Sequence, residues 1–178
     1  MITNYFKTII CLLTIMGTHL LGATSYCQTD TFRIKDFSVC FGGTTVTSNS
    51  KGGIILTRTN SGVDAGCEFH TNGGNIPLDA EHSRIELKPE ETINNGYYVV
   101  TITFKNEDGK WDEKDWIRDT GRRNTNLQVL PDVRKFAIDN GINGMTEYFI
   151  KIRIQPWKFV GKKPAFVFSK LSVMPVKK

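Results

Sequence analysis

The chain is poor in the residues on which most catalytic and metal chemistry depends. It holds three histidines and four cysteines in 178 residues. Once the N-terminal leader argued below is set aside, only His70 and His82 remain, with no paired His or Cys spacing beside them, so a zinc site is not expected. There is no Gly-x-Ser-x-Gly elbow, no His-Glu-x-x-His and no phosphate-cradling glycine loop followed by Lys-Ser or Lys-Thr. The acids nowhere take the alternating Glu-x-Asp-x-x-Glu spacing of β-sandwich glucanases. Basic residues exceed acidic ones by 23 to 18, but the two are intermixed, and the longest basic runs are the short turns Gly121-Arg122-Arg123 and Gly161-Lys162-Lys163. Nucleic-acid binding requires a concentrated basic stripe, which this chain lacks. No apolar run reaches the roughly 20 residues that a membrane-crossing helix needs.

What is present begins with a leader. Lys7 precedes Ile9-Ile10-Cys11-Leu12-Leu13-Thr14-Ile15-Met16, and Leu20-Leu21-Gly22-Ala23 follows after the interruption Gly17-Thr18-His19. A basic start, a short apolar core and small residues near a cut make a signal peptide. Cleavage after Ser25 or after Cys27 satisfies the small-residue rule, and the expected mature start is Gln28. This gives a signal peptide over residues 1–27 and one domain over residues 28–178, secreted or periplasmic. Two alternatives are a retained anchor and a lipid on Cys27 holding the protein at a membrane. A lipoprotein signal needs a small residue before the cysteine, and Tyr26 is bulky. Removing the leader takes away one lysine and no acids, so the formal charge falls from +5 to +4.

Cys40 and Cys67 are the remaining cysteines, and an even pair in an oxidising compartment predicts a disulfide. Closing that loop is worth about 3 to 4 kcal/mol in the chain-entropy picture. The other reading is two buried thiols in neighbouring strands.

Most apolar residues alternate with polar ones at period two, which places one side of a pleated strand on a core. In Tyr97-Tyr98-Val99-Val100-Thr101-Ile102-Thr103-Phe104, the side chains of Tyr98, Val100, Ile102 and Phe104 share one face, and Tyr97 points the other way. In the strand from Tyr148 to Ile154, Tyr148, Ile150, Ile152 and Ile154 are inward and Lys151 and Arg153 outward, with Pro156 as the stop. Weaker strands cover 37–41, 53–58, 65–69 and 83–87. From Ala165 to Val173 the phase changes between Phe166 and Phe168 on one side and Leu171 and Val173 on the other, which predicts a β-bulge near Ser169. Residues Pro131 to Gly141 predict the single helix, opened by Pro-Asp and closed by Asn-Gly, with Val133, Phe136 and Ala137 inward. Asn106-Glu107-Asp108-Gly109 has hairpin-turn chemistry and lacks the spacing and closing Glu of a calcium loop. The fold class expected is all-β: an antiparallel β-sandwich of jelly-roll type with one short helix in a loop.

The succession Gly52-Gly53-Ile54-Ile55-Leu56, Ser83-Arg84-Ile85-Glu86-Leu87, Tyr97 to Phe104 and Phe166 to Val173 resembles the galactose-binding-like jelly rolls that include many carbohydrate-binding modules. The resemblance spans most of residues 33 to 176 and implies a glycan ligand. Members of that family often carry an acid midway through the last strand, where this chain has Ser169-Lys170, so no cofactor is expected, with a structural calcium as the alternative that no motif here supports.

Sugar recognition sets flat aromatic faces against the apolar side of a pyranose, with amide, carboxylate or guanidinium groups on its hydroxyls. Such groups concentrate between Lys110 and Asn124, read as a binding loop containing Trp111, Asp115, Trp116, Arg118, Arg122 and Arg123. Tyr97 and Trp157 are further candidates. Each has a plainer explanation: Trp116 and Trp157 as plugs of the core, Tyr97 as a cross-strand partner, and the arginines as surface ion pairs. The expected function is secreted, non-catalytic binding of a polysaccharide or other glycan. The alternatives are a protein-interaction or adhesion domain and a small glycoside hydrolase drawing on Asp112, Glu113, Asp115 and Asp119.

Overall fold

The computed structural model describes residues 30–32, 36, 39–60, 64–71, 74–94, 96–119, 124–156 and 163–176. The leader over 1–27 and the candidates Arg122, Arg123 and Trp157 lie outside the described residues.

Among the described residues, twelve strands and one helix follow in chain order: β1 (Asp30–Thr31), β2 (Val39–Phe41), β3 (Thr44–Ser48), β4 (Ile54–Arg58), β5 (Gly66–Phe69), β6 (Ile76–Pro77), β7 (Arg84–Ile93), β8 (Gly96–Asn106), β9 (Trp111–Arg118), β10 (Gln128–Leu130), α1 (Val133–Asp139), β11 (Met145–Pro156) and β12 (Ala165–Met174). They form two antiparallel sheets. One runs β10-β7-β12-β4-β3, with β1 beside β12; the other runs β2-β5-β11-β8-β9, with β6 beside β11. The pairs β8–β9, β7–β10, β5–β11 and β4–β12 nest one inside the next along the chain, which is the winding of a jelly roll.

Period-two alternation determines the core. Tyr98, Val100, Ile102 and Phe104 of β8 and Tyr148, Ile150, Ile152 and Ile154 of β11 are all buried, and across the sandwich they meet Leu56, Leu87, Phe166, Phe168, Leu171 and Val173. Each such side chain contributes about 1.5 to 3 kcal/mol on burial, so these two strands anchor the second sheet. The predicted bulge lies at Ser169: Phe168 pairs with Pro89 and Lys170 with Lys88, and the skipped residue lets apolar side chains on both phases reach the core.

Helix α1 crosses from one sheet to the other between β10 and β11. The Asp132 side chain caps it by accepting from Lys135 N at 2.9 Å, and Val133 and Ala137 are buried. Residues 106–110 form the tight turn from β8 to β9. Asn106 Oδ1 accepts from Lys110 N at 2.8 Å, and Gly109 takes φ 78°, a conformation costly for any residue with a Cβ. Cys40 and Cys67 face each other directly across β2 and β5 and form the disulfide.

One expectation is overturned here. Residues 111–118 are not a loop but the strand β9, which pairs with β8 from Lys105 to Val99 and forms the edge of its sheet.

Candidate binding face

The pairing register fixes which side chains share the outer face of the sheet β2-β5-β11-β8-β9. Trp111 lies opposite Lys105, and Lys105 opposite Glu147; in the next row Glu113, Thr103 and Phe149 stand abreast. The row after holds Asp115, Thr101, Lys151, Glu68 and Val39, and then come Arg118, Val99, Arg153, Gly66 and Phe41. Neighbouring strands are about 4.8 Å apart, so the face is a grid with known spacing.

Its relief follows from residue size. β8 contributes the short Thr103 and Thr101 between the longer side chains of β9 on one flank and of β11 on the other. The difference leaves a hollow of about 330 Å³ lined by Thr103, Trp111, Asp112, Glu113, Phe149 and Lys151, a volume within the usual range for small-ligand sites.

The aromatic side of the hollow is built by contact across the low strand. Trp111 and Phe149 meet edge to face, ring centroids 5.4 Å apart and planes at 64°, and Phe149 stacks in turn on His70 at 4.9 Å. Trp111 is 44% exposed, whereas Phe149 is 8% exposed, so Phe149 supports and Trp111 presents its surface. Lys105 Nζ stands 5.7 Å from the centre of the Trp111 ring and is held by Glu147 at 2.5 Å.

The polar side is a closed set of ion pairs. Glu113 takes Lys151 Nζ at 2.8 Å on one oxygen and Arg153 on the other. Lys151 also approaches Glu68 at 3.9 Å, and Arg153 approaches Asp64 at 3.4 Å. Asp115 pairs with Arg118 and accepts from the Thr101 hydroxyl at 3.2 Å. Partial burial pushes the Glu113 carboxyl upward, but the hydrogen bonds and charges of Lys151 and Arg153 outweigh it and hold the group below the ordinary carboxylate range. Hydrogen bonding to Lys105, opposed by some burial, likewise lowers Glu147.

The expected site residues separate accordingly. Trp111, Asp115 and Arg118 lie on this face, and Tyr97 lies on it beyond the hollow, its hydroxyl donating to Gln155 Oε1 at 3.1 Å. Trp116 does not join them. The register of β9 slips between Asp115 and Ile117, leaving Trp116 as the extra residue, and it packs against the core beside Ile117. Among the hydrolase candidates, Asp112 lines the hollow and Asp119 is buried past the end of β9. The reading from sequence did not select Thr103, Phe149 or Lys151 as ligand contacts, nor Glu113 as the hub of the face. The signal was the outward phase of β8 and β11, above all an aromatic residue, Phe149, at an outward position. Among the described residues, no group of three or more His, Cys, Asp or Glu side chains is placed to hold a metal ion.

No protein-family model and no curated protein sequence matches the chain. Among solved structures it is similar to accessory secretory protein 1, 2 and 3 of Streptococcus pneumoniae, at 13% identity and a TM-score of 0.47, over 84% of this chain and 98% of that one. It is also similar to the xylan-binding domain from CBM 22, at 8% identity and a TM-score of 0.48, over 84% of this chain and 96% of that one. At these scores neither likeness bears on what this chain binds.

Proposed function

We propose that this protein is an exported, non-catalytic carbohydrate-binding domain whose ligand lies in the hollow between β9 and β11. The observation that carries this reading is Trp111: a large aromatic ring, 44% exposed and braced by Phe149, beside a hollow whose polar lining includes Thr103, Glu113 and Lys151, held to one another by hydrogen bonds. A pyranose presents an apolar face to such a ring and a rim of hydroxyls to carboxylate and ammonium groups. Bracing matters because a ring held before the ligand arrives loses little freedom on binding.

The same geometry argues against Glu113 or Asp115 as the general acid of a hydrolysis. A glycosidase needs one carboxyl group kept protonated as general acid, hence a raised pKa. Glu113 is shifted the opposite way by its two cations, and Asp115 is tied to Arg118. Export rests on the leader and is supported by the Cys40–Cys67 disulfide, a bond that persists in oxidising compartments.

The test is titration of the purified protein with a panel of polysaccharides, followed by intrinsic tryptophan fluorescence and calorimetry, and repeated with Trp111→Ala. The expected result is a saturable signal whose affinity falls by about tenfold or more in a variant that remains folded. Absence of binding to every glycan would overturn this reading in favour of a protein-interaction face, on which Trp111 would serve as the anchor.

A further inference from the structure

The cations on this face are not free for a ligand. Lys151, which lines the hollow, and Arg153 occupy successive outward positions of β11 and would form a ready cradle for a sugar carboxylate or sulfate. Glu113 reaches across the low strand β8 and fills that cradle itself, one oxygen to each cation. Among the described residues, the other cations paired on this face are Lys105 with Glu147 and Arg118 with Asp115. The described lysine and arginine ion pairs there comprise four cations, Lys105, Arg118, Lys151 and Arg153, against five carboxylates, Asp64, Glu68, Glu113, Asp115 and Glu147, and the His70 ring lies 3.4 Å from Glu68.

We infer that Glu113 is a specificity-determining residue that restricts the hollow to uncharged glycans by standing where the acidic group of a charged glycan would bind. This inference rests on the glycan-binding reading and deepens it. A neutral hydroxyl donates to a Glu113 oxygen or accepts from Lys151 without separating the pair. An acidic sugar must either displace Glu113 from two charge-assisted hydrogen bonds or add its own charge to a face whose described cations are already outnumbered by carboxylates, and both are costly. A site made to attract polyanions would present Lys151 and Arg153 uncovered.

The experiment compares the purified wild type with Glu113→Gln, using hydroxyethyl cellulose and galactan as neutral probes and polygalacturonate and chondroitin sulfate as acidic ones, at low and high salt. The wild type is expected to favour a neutral probe by about tenfold or more, with little response to salt. The variant, its fold checked by circular dichroism, is expected to gain about fivefold or more for an acidic probe, with binding that weakens as salt rises. A wild type that binds an acidic probe as tightly as any neutral one overturns the inference while leaving glycan binding intact. A folded Glu113→Gln protein that gains nothing for acidic probes overturns it as well. If the variant does not fold, the wild-type preference and its salt response decide the matter. A wild type that binds no glycan at all removes the functional reading on which the inference stands.

Discussion

Tyr98 lies flat against Phe166, ring centroids 3.9 Å apart and planes 16° from parallel, so that β8 of one sheet meets β12 of the other through two aromatic faces. The contact holds the sheet bearing the hollow on its support. Its defect is the phenol, which is buried with no hydrogen-bond partner among the described residues. Burial, and then the nearby Asp119 charge, raises the pKa of this group, so it stays protonated. An unsatisfied buried hydroxyl costs more than it returns. Tyr98→Phe is therefore expected to hold or raise stability, by up to about 1 kcal/mol in urea denaturation. A loss of that size would show that the hydroxyl does bond in solution.

Phe149 supports Trp111 while contributing little surface of its own. Phe149→Leu retains most of the buried volume and removes the ring against which Trp111 rests. Stability should fall by about 1 kcal/mol, while glycan affinity falls by about threefold or more and tryptophan emission moves to longer wavelength. Unchanged affinity in the variant would mean that Trp111 needs no brace.

Gly66 pairs with Arg153, and a Cβ placed on it would sit 2.2 Å from the Ile152 carbonyl oxygen and 2.9 Å from Arg153 Cα. Both obstacles are backbone, so β5 and β11 must separate to admit a methyl group. Gly66→Ala is expected to cost about 2 to 3 kcal/mol and to lower the melting temperature accordingly. A melting curve like that of the wild type would contradict this close approach.

Acid should loosen the fold through the ion pairs. Glu113 and Glu147 have folded pKa values below their ordinary value of 4.5, as does Glu86, lowered first by its hydrogen bond from Lys170, with burial opposing and Arg84 adding to the effect. A carboxyl depressed by folding stabilises the native state above its unfolded pKa, and the contribution is lost as pH falls through the folded value. Melting temperature should hold from neutrality towards pH 4.5 and decline below it, with a shallower decline in Glu113→Gln. A decline that begins near neutrality would point to groups other than these carboxylates.

The core was legible in the sequence because period two leaves a plain mark on strands with one buried face. Even the Ser169 bulge was visible, since apolar residues changed phase there. The edge strand β9 left no such mark. Its residues Asp112 and Lys114 lie opposite Phe104 and Ile102 yet are charged, because an edge strand is not required to fill the core. Those charges also discourage pairing with another chain, as does the bulge at Trp116. Read as a loop, the stretch hid the fact that Trp111, Glu113 and Asp115 stand in file while Trp116 turns to the core. The partnership of Trp111 with Phe149 was less legible still. The two residues lie 38 positions apart, and only the order β11-β8-β9, with a threonine between them, brings their rings together.

The nested pairing of strands also governs the order of assembly. β4 pairs locally with β3, but its other edge is filled by β12, so residues 54–58 gain that second partner only after residue 168 has been made. β5 has β2 on one edge and likewise waits for β11 on the other. Of the nested pairs, only the innermost hairpin, β8 with β9, closes over a short span, and by itself it has no second sheet against which to bury its apolar side. Such long-range closure is slow. A nascent chain with this winding therefore forms only local hairpins until β11 and β12 are synthesised, and both sheets close together at the end.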